Sequence, residues 1–188
     1  MQKLRMFNQV TLDGYFADEK GGMAWAHRPR ADPEWDAFVK GNASGGGTLL
    51  FGRVTYEMMA SYWPTPAAAQ NDPVVAKRMN DGKKVVFSRT LRTSPWANTR
   101  ILNGDIASEV RKLKSEKGEG IAILGSGSIT TQLTKEGLID EYQFVVYPVM
   151  LGKGRQLFAG LDKQLELEQT GSRSFANGNV VLTYERTE

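Results

Sequence analysis

Residues 121–133 read IAILGSGSITTQL, a short apolar run that leads through small residues into a helix-like pattern. The run is too short for a helix and is bounded by glycines, which indicates a buried strand. Ile129 and Leu133 then recur at helical spacing, and Gly137 can close the helix because glycine readily adopts a positive φ. The segment therefore predicts a strand, a glycine loop and a helix in succession.

The flanking segments repeat this alternation. Asp-Pro pairs at 32–33 and 72–73 indicate two helix starts, because aspartate caps a helix and proline suits its first position. The stretch at 64–71 is predicted to be a surface loop. Strands are predicted at 4–12, 48–51, 83–88, 121–124, 141–149, 165–174 and 180–186, the last two joined by a turn at Asn177-Gly178, and further helices start after Gly52 and at Asp105. The sequence thus predicts one α/β domain over 1–188, with three layers, a mostly parallel central sheet and antiparallel C-terminal strands.

Composition excludes several classes of protein. The chain has no Cys, which removes disulfides, thiolate nucleophiles and Fe–S clusters, and its single histidine, His27, offers little to a zinc site or a His-based triad. No window approaches the roughly 20 apolar residues of a membrane span, and the start lacks the apolar core of a signal peptide. We therefore expect a cytoplasmic protein without a membrane partner.

The net charge of +3 is small, and acidic and basic residues alternate over most of the chain, so a nucleic-acid partner is not expected. One basic stretch departs from this pattern, with Asp81 as its one acid. It contains Lys77, Arg78, Lys83, Lys84, Arg89, Arg92 and Arg100. Such a local positive field suits a phosphorylated small molecule.

Three predicted strands end in residues suited to phosphate binding. These are Gly125, Ser126, Gly127 and Ser128 after 121–124, Gly52, Arg53 and Thr55 after 48–51, and Ser88 and Arg89 after 83–88. The carboxyl ends of strands in an open α/β sheet form one edge, where ligands bind. Each group also has a plainer interpretation, a tight turn for the glycine loop and an exposed surface arginine for the others. Together they predict NADPH, with Arg89 beside the 2′-phosphate.

Several motifs extend this pattern over nearly the whole chain. They are TLDGYFA at 11–17, LLFGRVTYE at 49–57, KVVFSRTL at 84–91, ILGSGSITTQL at 123–133, GLIDEY at 137–142 and PVMLGKGRQLF at 148–158. In this order they resemble the dihydrofolate-reductase superfamily, specifically stand-alone proteins similar to the C-terminal reductase domain of the bifunctional riboflavin-biosynthesis deaminase/reductase. The resemblance implies a dihydrofolate-reductase-like fold and an NADPH site formed by Gly52, Arg53, Thr55, Ser88, Arg89, Gly125, Ser126, Gly127, Ser128 and Ile129.

The resemblance also implies substrate and catalytic residues. Glu34, four residues before Phe38, reproduces the carboxylate–phenylalanine spacing that holds the pterin in dihydrofolate reductase, although Asp36 is equally near and both acids could simply favour the helix dipole. Asp13 is implied to lie beside the nicotinamide as an acid or hydrogen-bonding group, and it could also serve only as a turn residue. Trp25, Phe38 and Tyr147 are implied to line a flat pocket, or else to belong to the core. Leu124 replaces the glutamate that normally precedes the glycine loop in the riboflavin reductase domain.

The expected function is an NADPH-dependent reduction of a small heterocyclic substrate, in which the protein orients the nicotinamide against a C=N or C=O bond. An NADP(H)-binding module without turnover is the alternative. We also expect a homodimer built on the C-terminal strands, from the resemblance and from the prevalence of two-fold dimers, with a monomer protected by a charged edge as the alternative.

Overall fold

The computed structural model describes residues 1–27 and 31–187. Its strands are β1 (Leu4–Thr11), β2 (Tyr15–Ala17), β3 (Thr48–Gly52), β4 (Lys83–Phe87), β5 (Thr99–Leu102), β6 (Ile121–Leu124), β7 (Glu141–Tyr147), β8 (Arg155–Gln156), β9 (Leu167–Ser174) and β10 (Val180–Arg186). Its helices are α1 (Pro33–Ser44), α2 (Arg53–Tyr62), α3 (Pro66–Asn71), α4 (Pro73–Asp81), α5 (Ile106–Ser115) and α6 (Gly127–Lys135), with a 3-10 helix at Ala24–His27.

Eight of the described strands form one sheet in the order β5-β4-β3-β6-β1-β7-β10-β9. Neighbours from β5 to β7 are parallel, and β10 is antiparallel to both β7 and β9. The predicted mostly parallel sheet with antiparallel C-terminal strands is confirmed. Because six strands run in one direction, their carboxyl ends meet at a single edge, which we call the carboxyl edge. Val180 pairs with Val146 near the end of β7, so the turn between β9 and β10 also lies at this edge.

Helices cover both faces of the sheet. Leu50 and Phe51 are neighbours in β3, and both are wholly buried, but they pack in different clusters. Leu50 packs with residues of α5 and α6, and Phe51 packs with residues of α2 and α4. Burying each of these side chains contributes about 1.5–3 kcal/mol. The central strands are thus buried on both faces, and the three predicted layers of a single α/β domain are confirmed.

The loop predicted at 64–71 is wrong, because it contains α3. Pro66 occupies the first turn, the Thr65 side chain accepts a hydrogen bond from the Ala68 N–H, and Ala68 is wholly buried. The helix therefore forms from a local cap and one buried alanine. Strand β5 was not predicted, because its four residues lie at the sheet edge, where they are at most partly buried and show little apolar pattern.

The predicted chain reversals are confirmed. Gly137 has a φ of 63°, and the N–H of Leu138 donates to the Leu133 carbonyl, so α6 ends at the expected glycine. Gly178, with a φ of 90°, turns the chain between β9 and β10. Among the described residues, none of the helices has the length and apolar character needed to cross a membrane.

Candidate functional site

The helices differ in how their N-termini are capped. Four of the six described α-helices are capped by a side chain that accepts a backbone N–H, namely α1, α3, α4 and α5, through Asp32, Thr65, Asp72 and Asp105. The other two, α2 and α6, follow Gly52 and Ser126 and have no side-chain cap. No side chain therefore caps their first-turn N–H groups, and helix N-termini attract anions.

The two uncapped N-termini are joined to each other through Ser126. Its hydroxyl accepts a hydrogen bond from the Gly52 N–H at 2.9 Å and donates to the Leu124 carbonyl at 3.0 Å. Its own N–H donates to Thr55 Oγ1 at 3.1 Å. Ser126 therefore holds the starts of α2 and α6 together instead of capping α6, and it does so in a left-handed conformation with a φ of 54°.

Glycines allow the close approach of these two loops. A Cβ on Gly52 would lie 3.2 Å from Ile129 Cγ1, and a Cβ on Gly125 would lie 3.3 Å from Thr55 Cγ2. Gly125 also has a φ of 57°, which glycine adopts without strain. Sequence analysis thus assigned to the cofactor a set of residues that the structure brings together at the ends of β3 and β6. Ile129 itself is buried in the core, and Ser128 is exposed.

Two further residues shape the glycine loop. Asn8, a buried residue of β1, donates to the Gly125 carbonyl at 3.1 Å, and Thr130 Oγ1 donates to the same oxygen at 3.2 Å. Sequence analysis missed Asn8, although it interrupts a series of alternating buried apolar residues in β1 and this interruption is a readable signal. The loop conformation is therefore fixed from within the sheet.

Phe16 was also missed. A Cβ on Gly127 would lie 2.6 Å from Phe16 Cζ, so the ring of this β2 residue packs directly against the first residue of α6. Gly127 is consequently required for packing of the protein itself, whatever ligand binds at the loop. Position 16 carries no sequence signal other than its place in the motif at 11–17.

The third group that the sequence predicted to bind phosphate lies at the end of β4. The Ser88 hydroxyl accepts hydrogen bonds from the N–H groups of Thr90 and Leu91, which shapes the turn that presents Arg89. Arg89 is exposed and makes no hydrogen bond or ion pair with any described residue. The Arg53 guanidinium, at the start of α2, pairs with Glu57 at 2.8 Å. Arg89 therefore has the more available guanidinium.

Much of the basic stretch at 77–100 serves internal contacts, contrary to the expected field. Lys84 is 1% exposed, and its ammonium donates to the carbonyls of Met79, Asn80 and Gly82 at the end of α4. Burial lowers the pKa of Lys84 to about 8. Lys77 pairs with Asp81, and Arg100 pairs with Glu116. Within the described part of the chain, Lys83, Arg89 and Arg92 remain without such partners.

Asp13 anchors the turn after β1. Its carboxylate accepts hydrogen bonds from the Thr11 hydroxyl at 2.6 Å and from the N–H groups of Gly152 at 2.7 Å and Leu151 at 2.9 Å. The Thr11 hydroxyl first, and then the Gly152 N–H, hold the pKa of Asp13 below its ordinary value. An ionised carboxylate with both oxygens engaged accepts hydrogen bonds, so these contacts favour an anchoring role over proton donation.

Glu34, which its spacing to Phe38 suggested as a carboxylate for the substrate, lies at the surface of α1 in the structure. The Glu34 side chain is 75% exposed and accepts a hydrogen bond from Arg173 at 3.0 Å, and Asp36 is also exposed. Trp35, between the two acids, instead faces inward and packs on Phe38 with ring centroids 5.4 Å apart. The spacing between Glu34 and Phe38 is the one that the sequence showed, but α1 is oriented so that Trp35, and not Glu34, faces the core.

A small cavity opens between the 3-10 helix, α1 and the carboxyl edge. It has a volume of about 50 Å³ and is lined by Trp25, Ala26, Trp35, Tyr147, Pro148, Val149, Asn177 and Asn179. Trp25 and Tyr147, two of the predicted pocket residues, meet edge to face at 5.3 Å, and Phe38 belongs to the same cluster. Sequence analysis missed Trp35, Asn177 and Asn179, of which Asn177 was assigned only to a turn.

Comparison with models of known protein families assigns this chain to one family. A family model described as RibD C-terminal domain matches residues 2–181. The chain is 31% identical over 176 residues to YyaP of Bacillus subtilis (strain 168), covering 93% of this chain and 90% of that protein. It is 28% identical over 185 residues to YwjB of the same organism, covering 98% of each. Both relatives are described as uncharacterized proteins.

Solved structures share the fold at lower identity. A putative riboflavin biosynthesis protein from Shewanella sp. PV-4 superposes with a TM-score of 0.75 at 24% identity over the full length of both chains. RibD of Acinetobacter baumannii gives 0.70 at 17% identity, with all of this chain matching 58% of that one. Dihydrofolate reductase from Enterococcus faecalis, complexed with NADP(H), gives 0.64 at 14% identity, with 99% and 97% of the two chains covered. These neighbours show a dihydrofolate-reductase-like fold.

Proposed function

We propose that this chain, which belongs to the RibD C-terminal domain family, is an NADPH-dependent reductase of a small heterocyclic substrate. The chain has the reductase-type fold of its family. The observation that carries the proposal is the pair of uncapped helix N-termini that Ser126 joins at the carboxyl edge. A dinucleotide needs such a convergence of backbone donors for its pyrophosphate.

The residues present fit this cofactor. The first turns of α2 and α6 offer N–H donors that no side chain caps, and glycines let the two loops that carry them approach each other closely. Arg89 offers an unpaired guanidinium for a 2′-phosphate, which a bidentate contact recognises better than a point charge does. The residues that would hold NADPH are Gly52, Arg53, Thr55, Ser88, Arg89, Gly125, Ser126, Gly127, Ser128 and Ile129.

When bound, NADPH would supply a hydride. The chain would contribute binding, orientation and exclusion of water. The cavity beside Trp25 and Tyr147 lies at the same edge of the sheet as the glycine loop. The loop follows β6, Tyr147 ends β7, and β1 lies between these two strands. A ring held there would be presented toward the end of the cofactor site nearest β1.

Binding without turnover is the second candidate, and one observation favours it. Asp13 is engaged as an acceptor and Glu34 faces solvent, so neither predicted acid stands ready to supply a proton. Loss of the reduced-nicotinamide absorbance, measured with a panel of pterins, pyrimidines and quinoid compounds, separates the two. Oxidation of NADPH that depends on one of these compounds supports the reductase. NADPH binding without oxidation in the whole panel supports the module.

We also propose that the protein is a homodimer built on its C-terminal strands. Phe144, Phe158 and Tyr184 pack together on the face of β7 and β10, yet all three remain partly exposed. A second copy would cover such a surface, and two-fold dimers are the commonest soluble oligomers. Light scattering at micromolar concentration tests this, because a mass near the 20.8 kDa of one chain would exclude the dimer.

A further inference from the structure

The sequence contains two Asn-Gly pairs, at 103–104 and 177–178, and the fold holds them differently. An asparagine followed by glycine loses its side-chain amide readily, because glycine has no side chain to hinder the attack of its own backbone nitrogen on the preceding carboxamide. The attack also needs a backbone that is free to bend toward the side chain. The structure therefore decides which of the two pairs reacts.

The first pair is unrestrained. Asn103 and Gly104 are both exposed, and they lie between the end of β5 and the start of α5. Among residues 1–27 and 31–187, no group makes a hydrogen bond to the Asn103 side chain or to the Gly104 N–H. Water can reach the carboxamide and the nitrogen, and no contact of either must be broken before they react.

The second pair is held by the turn between β9 and β10. Asn177 is buried, its Oδ1 accepts a hydrogen bond from the Asn179 N–H at 2.9 Å, and its own N–H donates to Asp32 at 3.0 Å. The Gly178 N–H, whose nitrogen would attack, donates to the Phe175 carbonyl at 2.9 Å. Reaction at this pair requires these contacts to open first, and the cost of local opening slows it.

We propose that Asn103 is a site of spontaneous deamidation at the carboxyl edge, and that the fold protects Asn177 from the same reaction. The Gly104 backbone nitrogen loses its proton and bonds to the Asn103 carboxamide carbon, and the carbon–nitrogen bond of the carboxamide breaks to release ammonia. Water then opens the resulting succinimide ring at either carbonyl, which leaves aspartate or isoaspartate at position 103. An amide and water thus become an acid and ammonia, without oxidation or reduction.

The new carboxylate would lie beside the end of β4. The Leu102 carbonyl, directly before Asn103, accepts a hydrogen bond from the Ser88 N–H at 2.9 Å, and Arg89 follows Ser88. A negative charge here would lower the positive potential around the exposed Arg89 guanidinium. This consequence rests on the proposed function, which assigns the NADPH 2′-phosphate to Arg89, whereas the deamidation itself does not. Deamidation would therefore weaken NADPH binding and spare NADH binding.

Peptide mapping tests the site directly, because trypsin places the two pairs in separate peptides, 101–111 and 174–186. The folded chain is incubated at mildly alkaline pH and physiological temperature, and the gain of one mass unit at each asparagine is followed by mass spectrometry. Asn103 should convert at least about tenfold faster than Asn177, because hydrogen bonds protect the second pair. In guanidinium chloride, which removes the fold, the two rates should become similar. Equal rates in the folded chain, or no conversion of Asn103 in it, would overturn the proposal.

Gly104→Ala keeps the asparagine and hinders the attacking nitrogen. The new Cβ would lie 3.3 Å from Glu109 Cγ, in a flexible side chain, so the fold should tolerate it. Conversion of Asn103 should slow about tenfold, and conversion of Asn177 should stay as it was. An unchanged rate at Asn103 would contradict attack by the Gly104 nitrogen.

Asn103→Asp isolates the effect of the charge on the cofactor. At low salt it should weaken NADPH binding about threefold and leave NADH binding unchanged, and added salt should reduce the difference because exposed charges are screened. In an Arg89→Ala background, Asn103→Asp should have no effect on NADPH binding. Equal losses for both nucleotides would contradict the consequence at Arg89. Peptide mapping needs no nucleotide, so failure of the proposed cofactor site is distinguishable from failure of the deamidation.

Discussion

The backbone N–H of Asn177 donates a hydrogen bond of 3.0 Å to the carboxylate of Asp32, which also caps α1 through the N–H groups of Glu34 and Trp35. One carboxylate therefore joins the start of α1 to the turn between β9 and β10. These two elements carry Trp35 and Asn177, which line the cavity. The Asp32 contacts therefore fix α1 against the β9–β10 turn, and both elements line the proposed substrate site.

Asp32→Asn should lower the melting temperature by several degrees at neutral pH, because the amide oxygen cannot replace both carboxylate oxygens. The Asn177 N–H first, and then the N–H groups of α1, hold the pKa of Asp32 below the ordinary aspartate value of 3.8. A carboxyl whose pKa is lowered on folding stabilises the fold above its unfolded pKa and loses this contribution as pH falls through the folded value. Melting curves from pH 7 to pH 3 should show the difference between the wild type and Asp32→Asn beginning to narrow below about pH 4. A constant difference over this range would contradict the assignment.

Ser126→Ala tests the link between α2 and α6. Loss of the hydroxyl leaves the Gly52 N–H without its acceptor. Alanine is also no less strained than serine at the positive φ of position 126. We therefore expect the free energy of unfolding to fall by about 1–2 kcal/mol. The same change should weaken NADPH binding, because the two N-termini separate. Ser128→Ala is the control for stability, since Ser128 is an exposed serine in the first turn of the same helix. Urea unfolding of both variants measures the difference, and equal stabilities would refute the linking role.

Gly127 has a packing role that can be separated from ligand binding. Gly127→Ala should destabilise the protein, because the new Cβ would lie 2.6 Å from Phe16 Cζ. The double variant Phe16→Ala/Gly127→Ala should be less destabilised than the sum of the two single variants, as expected for residues in direct contact. Thermal unfolding of the four proteins gives the coupling. Strictly additive losses of stability would show that the Phe16 ring and the new side chain at position 127 do not contact each other.

The sequence predicted which strand ends meet at the carboxyl edge better than it predicted which residues line the cavity, for a physical reason. Strand ends such as Gly52 and Arg89 follow directly from apolar runs, and parallel pairing places them at one edge whatever the details of packing. The cavity instead combines Trp25, Trp35 and Asn177, which are distant in sequence. Which face of α1 turns inward depends on packing against the 3-10 helix and the β9–β10 turn, so spacing alone selected Glu34 where the structure presents Trp35. Likewise, β5 lies at the sheet edge and α3 buries a single alanine, so neither element shows a clear apolar pattern in the sequence.

Arg89→Ala should weaken NADPH binding at least tenfold and leave NADH binding unchanged. A charge-assisted contact to the 2′-phosphate contributes roughly 1.5–3 kcal/mol, and NADH lacks that phosphate. Lys83→Ala is the matched control, because it removes an exposed cation from the opposite end of the same strand. Calorimetric titration of the three proteins with both nucleotides gives the comparison. Equal loss of NADPH affinity in the two variants would indicate a general charge effect instead of a specific contact.

The central claim, that NADPH binds where Ser126 joins the uncapped starts of α2 and α6, is tested most directly by following backbone amide resonances during an NADPH titration. The account predicts saturable shifts of the first-turn amides of α6 at Gly127, Ser128 and Ile129, and of α2 near Arg53. The corresponding first-turn amides of α5, which Asp105 caps, should not move. Saturation with NADPH that leaves the α2 and α6 amides unshifted, or no binding at millimolar nucleotide, would contradict the account.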